Sequence, residues 1–286
     1  MAIQMIPSDG ANCVREMATR YLQSTQSFPL QPLQHPQAPK LKVGGFRLFA
    51  DGEFPGQDAA MVLVQGCPWR CSYCGNPQLQ LRTIDSPLDW DDILDSLQVR
   101  FGTAGAVVFG GGEPCVDPAL PQALQAVRAL GLKTGLQTAG IYPERLQKLL
   151  PLLDWVGLDI KGGDGDYASI TGIRGSARVA RKSLKLLLAS GVDYEVRTTI
   201  HPDLLSEAKL LALAQNLAQQ GVKNYALQVF REQGCRNAAL CGAKCGSGDA
   251  VIINACRLAD AQDMRYPGAA LLKRMSAMFP QFSVRR

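Results

Sequence analysis

Six short apolar runs, rich in β-branched residues and separated by helix-patterned stretches, limit what this chain can fold into. They are Ala60–Val64, Ala106–Phe109, Lys133–Gln137, Trp155–Ile160, Tyr194–Ile200 and Tyr225–Phe230. Between them lie Asp89–Phe101, Pro118–Leu130, Pro143–Leu150, Ala177–Ala189 and Ser206–Gln219, which read as helices. Asp117 before Pro118 and Ser206 before Glu207 are cap signals, and Gly131, Gly191 and Gly221 stand where helices stop. Strands alternating with helices imply βαβ units with right-handed crossovers and a parallel sheet covered on both faces. The chain is therefore α/β. Six units are fewer than the eight that close a barrel, and a doubly wound open sheet has the same local pattern. Either arrangement puts a site at the carboxyl ends of the strands.

The residues just past each strand, 65–74, 110–114, 137–140, 159–161, 197–201 and 228–234, are nearly all polar, glycine or cysteine. The first of these segments carries three cysteines, in Cys67-Pro68-Trp69-Arg70-Cys71-Ser72-Tyr73-Cys74. Zinc sites want four ligands and usually draw them from paired CxxC units. Three thiolates on a short loop suit a cubane iron–sulfur cluster, with the fourth iron open to a small molecule. Gly66, Pro68 and Gly75 mark the segment as a loop, which sets it apart from three unrelated buried cysteines. Further along, Asp159 and Lys161 alternate onto one side of their strand end. They form either an ion pair or part of a shared pocket.

The chain of 286 residues is long enough for one substantial core, and its net charge of +5 is spread without a basic face that would fit nucleic acid. Such a mildly basic surface suits docking of an acidic protein. No apolar run approaches the ~18 residues of a membrane span, and no basic-then-apolar signal opens the sequence, so a cytoplasmic product is expected. Nine clustered cysteines in such a product favour metal ligation over disulfides. Residues 1–40 read as an N-terminal extension, with a short helix at Cys13–Ser24 and a Pro/Gln linker at Gln31–Pro39; Cys13 carries no function. Residues 41–286 form the domain, whose tail starts near Gly234 and includes a last helix near Gly268–Met278. Cys235, Cys241, Cys245 and Cys256 in that tail are either ligands of a second metal, in a spacing without a known pattern, or, as for Cys256, small apolar residues.

Tyr73 before the last cysteine of the triplet, and Gly111-Gly112-Glu113-Pro114 starting 37 residues after Cys74, complete a pattern that resembles the radical S-adenosylmethionine superfamily. Within it the chain is similar, from about Val43 to Arg286, to the activating proteins of glycyl-radical enzymes, above all those serving anaerobic ribonucleoside-triphosphate reductase. Phe54-Pro55-Gly56, Gln65-Gly66-Cys67, Cys71–Pro77, Leu158–Lys161, Arg197-Thr198-Thr199 and Gln228–Arg231 carry this narrower likeness. It implies an open partial TIM barrel, (β/α)6, with the N-terminal extension and cysteine-containing tail attached. It implies two cofactors, a 4Fe-4S cluster on Cys67, Cys71 and Cys74, and S-adenosylmethionine chelated to the open iron. Tyr73, Gly75, Gly111, Gly112, Glu113, Thr138, Asp159, Lys161 and Arg231 become the expected S-adenosylmethionine contacts, and Arg197 the expected catalytic residue beside the substrate glycine. The implied reaction is reductive cleavage to a 5′-deoxyadenosyl radical, which makes a glycyl radical on a partner enzyme, here anaerobic ribonucleotide reductase. Flavodoxin or ferredoxin is the implied electron donor, and neither nucleic acid nor membrane is a partner.

Two positions depart from the activating proteins: Gly75 stands where His is common, and Gln137-Thr138-Ala139-Gly140 replaces an Asp-Thr-Asn-Gly segment whose Asp can hold a monovalent cation. Two competing readings remain: a related enzyme with a small-molecule substrate, as in 7-carboxy-7-deazaguanine synthase, and a non-catalytic metal-binding protein.

Overall fold

The computed structural model describes residues 40–241 and 266–285, apart from 51, 84 and 102–104. The expected N-terminal helix and linker, and Cys245 and Cys256, lie outside those residues. The strands are β1 (Val43–Arg47), β2 (Ala59–Val64), β3 (Ala106–Gly111), β4 (Lys133–Thr138), β5 (Trp155–Asp159), β6 (Asp193–Ile200), β7 (Asn224–Val229) and β8 (Gln281–Arg285). The helices are α1 (Trp90–Phe101), α2 (Leu120–Ala129), α3 (Pro143–Leu149), α4 (Tyr167–Thr171), α5 (Ser176–Ser190), α6 (Glu207–Gln219), α7 (Ala238–Cys241) and α8 (Ala269–Ser276).

The strands form one sheet in sequence order, β1 to β8, parallel from β2 onward. β1 runs antiparallel to β2, and β1 and β8 end the sheet without pairing to each other. This is the open barrel that six units imply, extended by one strand at each edge. β1 escapes the sequence pattern because two of its five residues are glycine. β8 escapes it because Gln281, Ser283 and Val284 are exposed, as an edge strand allows.

The outer face of the sheet packs against the helices in one continuous core. Val62, Val107, Phe109, Leu136, Val156 and Val196 meet Leu124 and Val127 of α2, Leu184 and Leu187 of α5, and Leu210 and Leu217 of α6. Each such leucine or valine contributes about 1.5–3 kcal/mol by leaving water. Ser206 caps α6 by accepting the Lys209 N–H, and Gly191 ends α5 in the left-handed conformation.

The inner face is different. A separate small cluster of Phe54, Ala59, Ala106, Val108 and Trp155 fills the end where β2, β3 and β5 begin. Above it the inward positions of β3 and β5 are Gly110 and Gly157, whose missing side chains make room for Met61 and for Trp155 and Arg197, and the opposite end of the barrel is hollow. No helix among the described residues is long and apolar enough to cross a membrane.

Candidate active site

A cavity of about 630 Å³ occupies the hollow end, ringed by the carboxyl ends of the strands. The residues expected to hold the cluster, S-adenosylmethionine or the substrate line it except Glu113: the three cysteines, Tyr73, Gly75, Gly111, Gly112, Thr138, Asp159, Lys161, Arg197 and Arg231.

The cysteine loop leaves β2 and is held by its backbone on two sides. Gly66 and Cys67 donate to the carbonyls of Leu79 and Gln80, at 2.8 and 3.1 Å. Arg70 and Ser72 each donate at 2.9 Å to the last turn of α4, at Thr171 and Ile170. Trp69 is buried edge-on against Tyr167 of the same helix. These anchors fix the loop without using a thiol, so all three sulfurs remain partly buried along the cavity.

Burial pushes the Cys67 thiol up to about 12, opposed by the Trp69 N–H and helped by the nearby carboxylate of Glu113. Burial raises Cys71 as well, against the pull of Lys161. Thiols in such a place ionise only when a cation comes to them, as a metal centre does. Among the described residues no three His, Cys, Asp or Glu side chains converge on a single ion. Three thiols of one loop along the cavity are the donors that a cubane cluster takes, each thiolate on a different iron.

The glycines of Gly111-Gly112-Glu113-Pro114 have a packing reason. Gly112 crosses the root of the cysteine loop, donating to Val64 O at 2.9 Å, and a Cβ there would lie 2.5 Å from Gly66 O. Glu113 turns away from the cavity. Its buried carboxylate accepts from the Thr138 hydroxyl (2.7 Å), the Ala139 N–H (3.0 Å) and the Cys115 N–H (3.2 Å), which joins the ends of β3 and β4. Burial raises its pKa against those same hydrogen bonds. Any contact of this turn with a ligand falls to the Gly111–Gly112 backbone.

Lys161 is buried just past β5 and reaches the Tyr73 hydroxyl at 3.3 Å and Asp159 at 3.4 Å. Burial alone would lower its pKa, but Tyr73, Cys71 and Asp159 outweigh it, so the ammonium stays charged beside the cysteine loop. Gln137, where the activating proteins commonly have Asp, donates to Glu53 at 2.5 Å.

Arg197 is buried in the cavity wall. Its Nε donates to Glu195 at 2.6 Å, and its guanidinium covers the ring of Trp155 at 5.0 Å. The Nη2 is buried without a hydrogen-bond partner among the described residues, and the ring face is its neighbour instead. Arg285 of β8 donates to the other oxygen of Glu195 at 2.7 Å. Arg197 is thus paired locally, with Glu195 shared between it and Arg285.

The sequence left unnoticed the deep wall of the cavity, with Arg47, Glu53 and Met61. Arg47 and Glu53 come from β1 and its following loop, where no periodicity pointed, and Met61 comes from β2. It also missed Gly234, whose φ of +81° and approach to Gly75 leave no room for a side chain, since a Cβ would sit 2.1 Å from Gly75 O. The same segment sets Cys235 against the cysteine loop, its thiol 3.7 Å from Ser72 O.

A family model described as the radical SAM superfamily matches residues 61–224, more than half the chain. Among curated relatives, a protein described as a glycyl-radical enzyme activating enzyme, from Methanocaldococcus jannaschii, is 25% identical over 67% of this chain and 80% of its own. The pyruvate formate-lyase-activating enzyme of Clostridium pasteurianum is 33% identical over 55% of this chain and 68% of its own. The 7-carboxy-7-deazaguanine synthase of Methanopyrus kandleri is 31% identical over 40% and 53% respectively. Among solved structures, SuiB of Streptococcus suis bound to S-adenosylmethionine aligns with a TM-score of 0.55 at 16% identity, over 78% of this chain. The chain spans about half the length of that protein, 48%, and the likeness is one of fold.

Proposed function

The chain belongs to the radical SAM superfamily, and from that premise we propose that it is an activase, which installs a glycyl radical on a partner enzyme. Members of this superfamily use a 4Fe-4S cluster and S-adenosylmethionine, which sets aside the non-catalytic reading. When bound, this pair supplies the chemistry: an electron from the cluster cleaves S-adenosylmethionine to methionine and a 5′-deoxyadenosyl radical, which takes a hydrogen atom from the substrate.

The protein's part is to hold, orient and exclude water. Cys67, Cys71 and Cys74 are the proposed cluster ligands. The Gly111–Gly112 backbone, Thr138, Asp159, Lys161, Tyr73, Gly75 and Arg231 border the space for S-adenosylmethionine, and Glu113 positions that turn from behind. Arg197 faces the deeper, substrate side. Its anchoring by Glu195 and Trp155 keeps the guanidinium in one place.

One observation carries the choice of a protein substrate. The cysteine loop, the double-glycine turn and the Asp159–Lys161 end share a single cavity, in a barrel left open between β1 and β8. An open wall admits a loop of another protein. The two relatives described as activating enzymes support the same reading. Anaerobic ribonucleotide reductase is the proposed partner, with flavodoxin or ferredoxin as donor. The deazaguanine synthase relative supports a small-molecule substrate instead.

Electron paramagnetic resonance decides between them. Reconstituted protein, reductant, S-adenosylmethionine and the anaerobic reductase should give a glycyl doublet, and Arg197→Ala should cleave S-adenosylmethionine slowly without producing it. A wild-type protein that gives no doublet, yet cleaves S-adenosylmethionine, moves the assignment to the small molecule.

A further inference from the structure

The fold pins a buried cation, Lys161, against the cysteine loop. Its side chain is 6% exposed, and its Nζ lies 3.3 Å from the Tyr73 hydroxyl and 5.2 Å from the centre of the Tyr73 ring. Tyr73 stands between Cys71 and Cys74 in that loop. The backbone is held as well. The Lys161 N–H donates to the Tyr167 hydroxyl at 3.1 Å, and the Tyr167 ring meets Trp69 of the cysteine loop edge-on. The helix that carries Tyr167, α4, also accepts the Arg70 and Ser72 N–H groups. One short helix thus fixes both the loop and the residue that brings a charge to it. Every one of these contacts is made by the protein itself, so the arrangement does not wait for S-adenosylmethionine.

Asp159 accepts from this ammonium at 3.4 Å, but its side chain is 41% exposed and water weakens its hold. The charge of Lys161 is therefore compensated only in part. Burial dominates the thiols of Cys67 and Cys71; against it, the Lys161 charge favours the ionised form of both, while Glu113 opposes it at Cys67 and Asp159 at Cys71. Arg70 is also close, through its bond to Cys67 O, but it is exposed and its charge is screened by solvent. A fixed cation that favours negative charge on two of the three sulfurs also favours further negative charge on whatever those sulfurs hold.

We propose that Lys161 tunes the reduction potential of the cluster, raising it before S-adenosylmethionine binds, with Tyr73 and Tyr167 as positioning residues. One electron from an external one-electron reductant enters the cluster, the reductant is oxidised by one electron, and no bond or proton moves. The ammonium is present before and after. The oxidised and reduced clusters differ by one unit of negative charge, so a fixed cation stabilises the reduced form. At an effective dielectric constant of about 20, one unit charge shifts such an equilibrium by about tenfold or more out to roughly 10 Å. This inference rests on the cluster reading of Cys67, Cys71 and Cys74, and not on the identity of the substrate.

The test is a redox titration of anaerobic holoenzyme, loaded with iron and sulfide and free of S-adenosylmethionine. Dithionite with mediators is the reductant, and the electron paramagnetic resonance signal of the reduced cluster is the readout. Lys161→Met should make reduction about tenfold less favourable, a midpoint ~59 mV lower for a one-electron couple. Lys161→Arg keeps the charge on a different shape and should recover most of that loss, which a packing role would not. Asp159→Asn removes the opposing charge and should shift the other way, making reduction about threefold more favourable, ~28 mV higher. Its exposed side chain lets this variant carry the test even where Lys161→Met fails to load. Equal midpoints in wild type and Lys161→Met overturn the proposal, as does an equal fall in Lys161→Arg, or a midpoint in Asp159→Asn that stays or falls. A wild-type protein that takes up no iron overturns the cluster reading beneath it instead.

Discussion

Asp159–Lys161 and Glu195–Arg197 are written alike: acid, spacer and base on neighbouring strands, with Asp159 in register with Arg197. They end differently. The first pair is loose, at 3.4 Å, with the Asp159 side chain 41% exposed, and Lys161 shares itself with Tyr73 of the cysteine loop. The second is tight, at 2.6 Å, with side chains 7% and 5% exposed, and Arg285 adds a second cation to the same carboxylate. Spacing puts two charges on one face. Third partners from distant parts of the chain then decide whether the pair braces the wall or faces a ligand.

The comparison breaks at once if the loop beside Lys161 holds no cluster. Cys71→Ala should abolish cluster assembly, since a cubane on two thiolates lacks a required ligand; iron content and the brown absorbance measure it. A variant with wild-type iron would remove the reason for setting the upper pair apart.

The next largest effect belongs to the lower pair. Glu195→Ala leaves Arg197 and Arg285 facing each other inside the wall, and breaking a buried pair costs about 3–5 kcal/mol. For a chain of this size that lowers the melting temperature by on the order of 10 °C, read by circular dichroism. A shift within a degree or two would make Glu195–Arg197 no more structural than its neighbour.

Lys161→Met should do the reverse. Asp159 keeps its access to water, so the melting temperature should stay near wild type. Affinity for S-adenosylmethionine should fall about ten- to a hundredfold, the ~1.5–3 kcal/mol of a hydrogen bond to a charged group, as measured by equilibrium dialysis on loaded enzyme. If this variant melts as low as Glu195→Ala and binds normally, the two pairs are of one kind. Asp159→Asn sharpens the same point with a smaller effect. An exposed carboxylate contributes ~1 kcal/mol or less, so affinity should drop by no more than about fivefold.

β2 and β3 were legible because each is buried on nearly every position and opens as an apolar run, as in Ala106–Phe109. β4, β6 and β7 carry polar residues such as Gln137, Arg197 and Gln228 and were legible from their place between helix-patterned stretches. The cysteine loop and the Asp159–Lys161 end were legible because their residues sit just past such runs. β1 and β8 carried no such signal, since an edge strand needs neither continuous burial nor strict alternation. The depth of Arg197 was hidden for another reason. Alternation gives the face of a strand but not how far along the barrel a long side chain leans, and that is set by Trp155 and Glu195. Glu113 shows the same limit: Gly111 and Gly112 before it line the cavity, while three hydrogen bonds behind the turn claim its carboxylate.

The meeting of Gly234 with Gly75 has a consequence for anyone wishing to move the cysteine loop elsewhere. The two segments touch backbone to backbone, with 2.1 Å between Gly75 O and any Cβ added at 234. The loop is therefore one half of a mould whose other half arrives some 160 residues later in the chain. Grafted alone into a sister barrel, residues 67–75 would meet whatever side chain that host carries at the corresponding place. Recombination between relatives should respect the same unit: 67–75 and 233–235 travel as one cassette, and libraries that diversify either segment should draw both from the same parent.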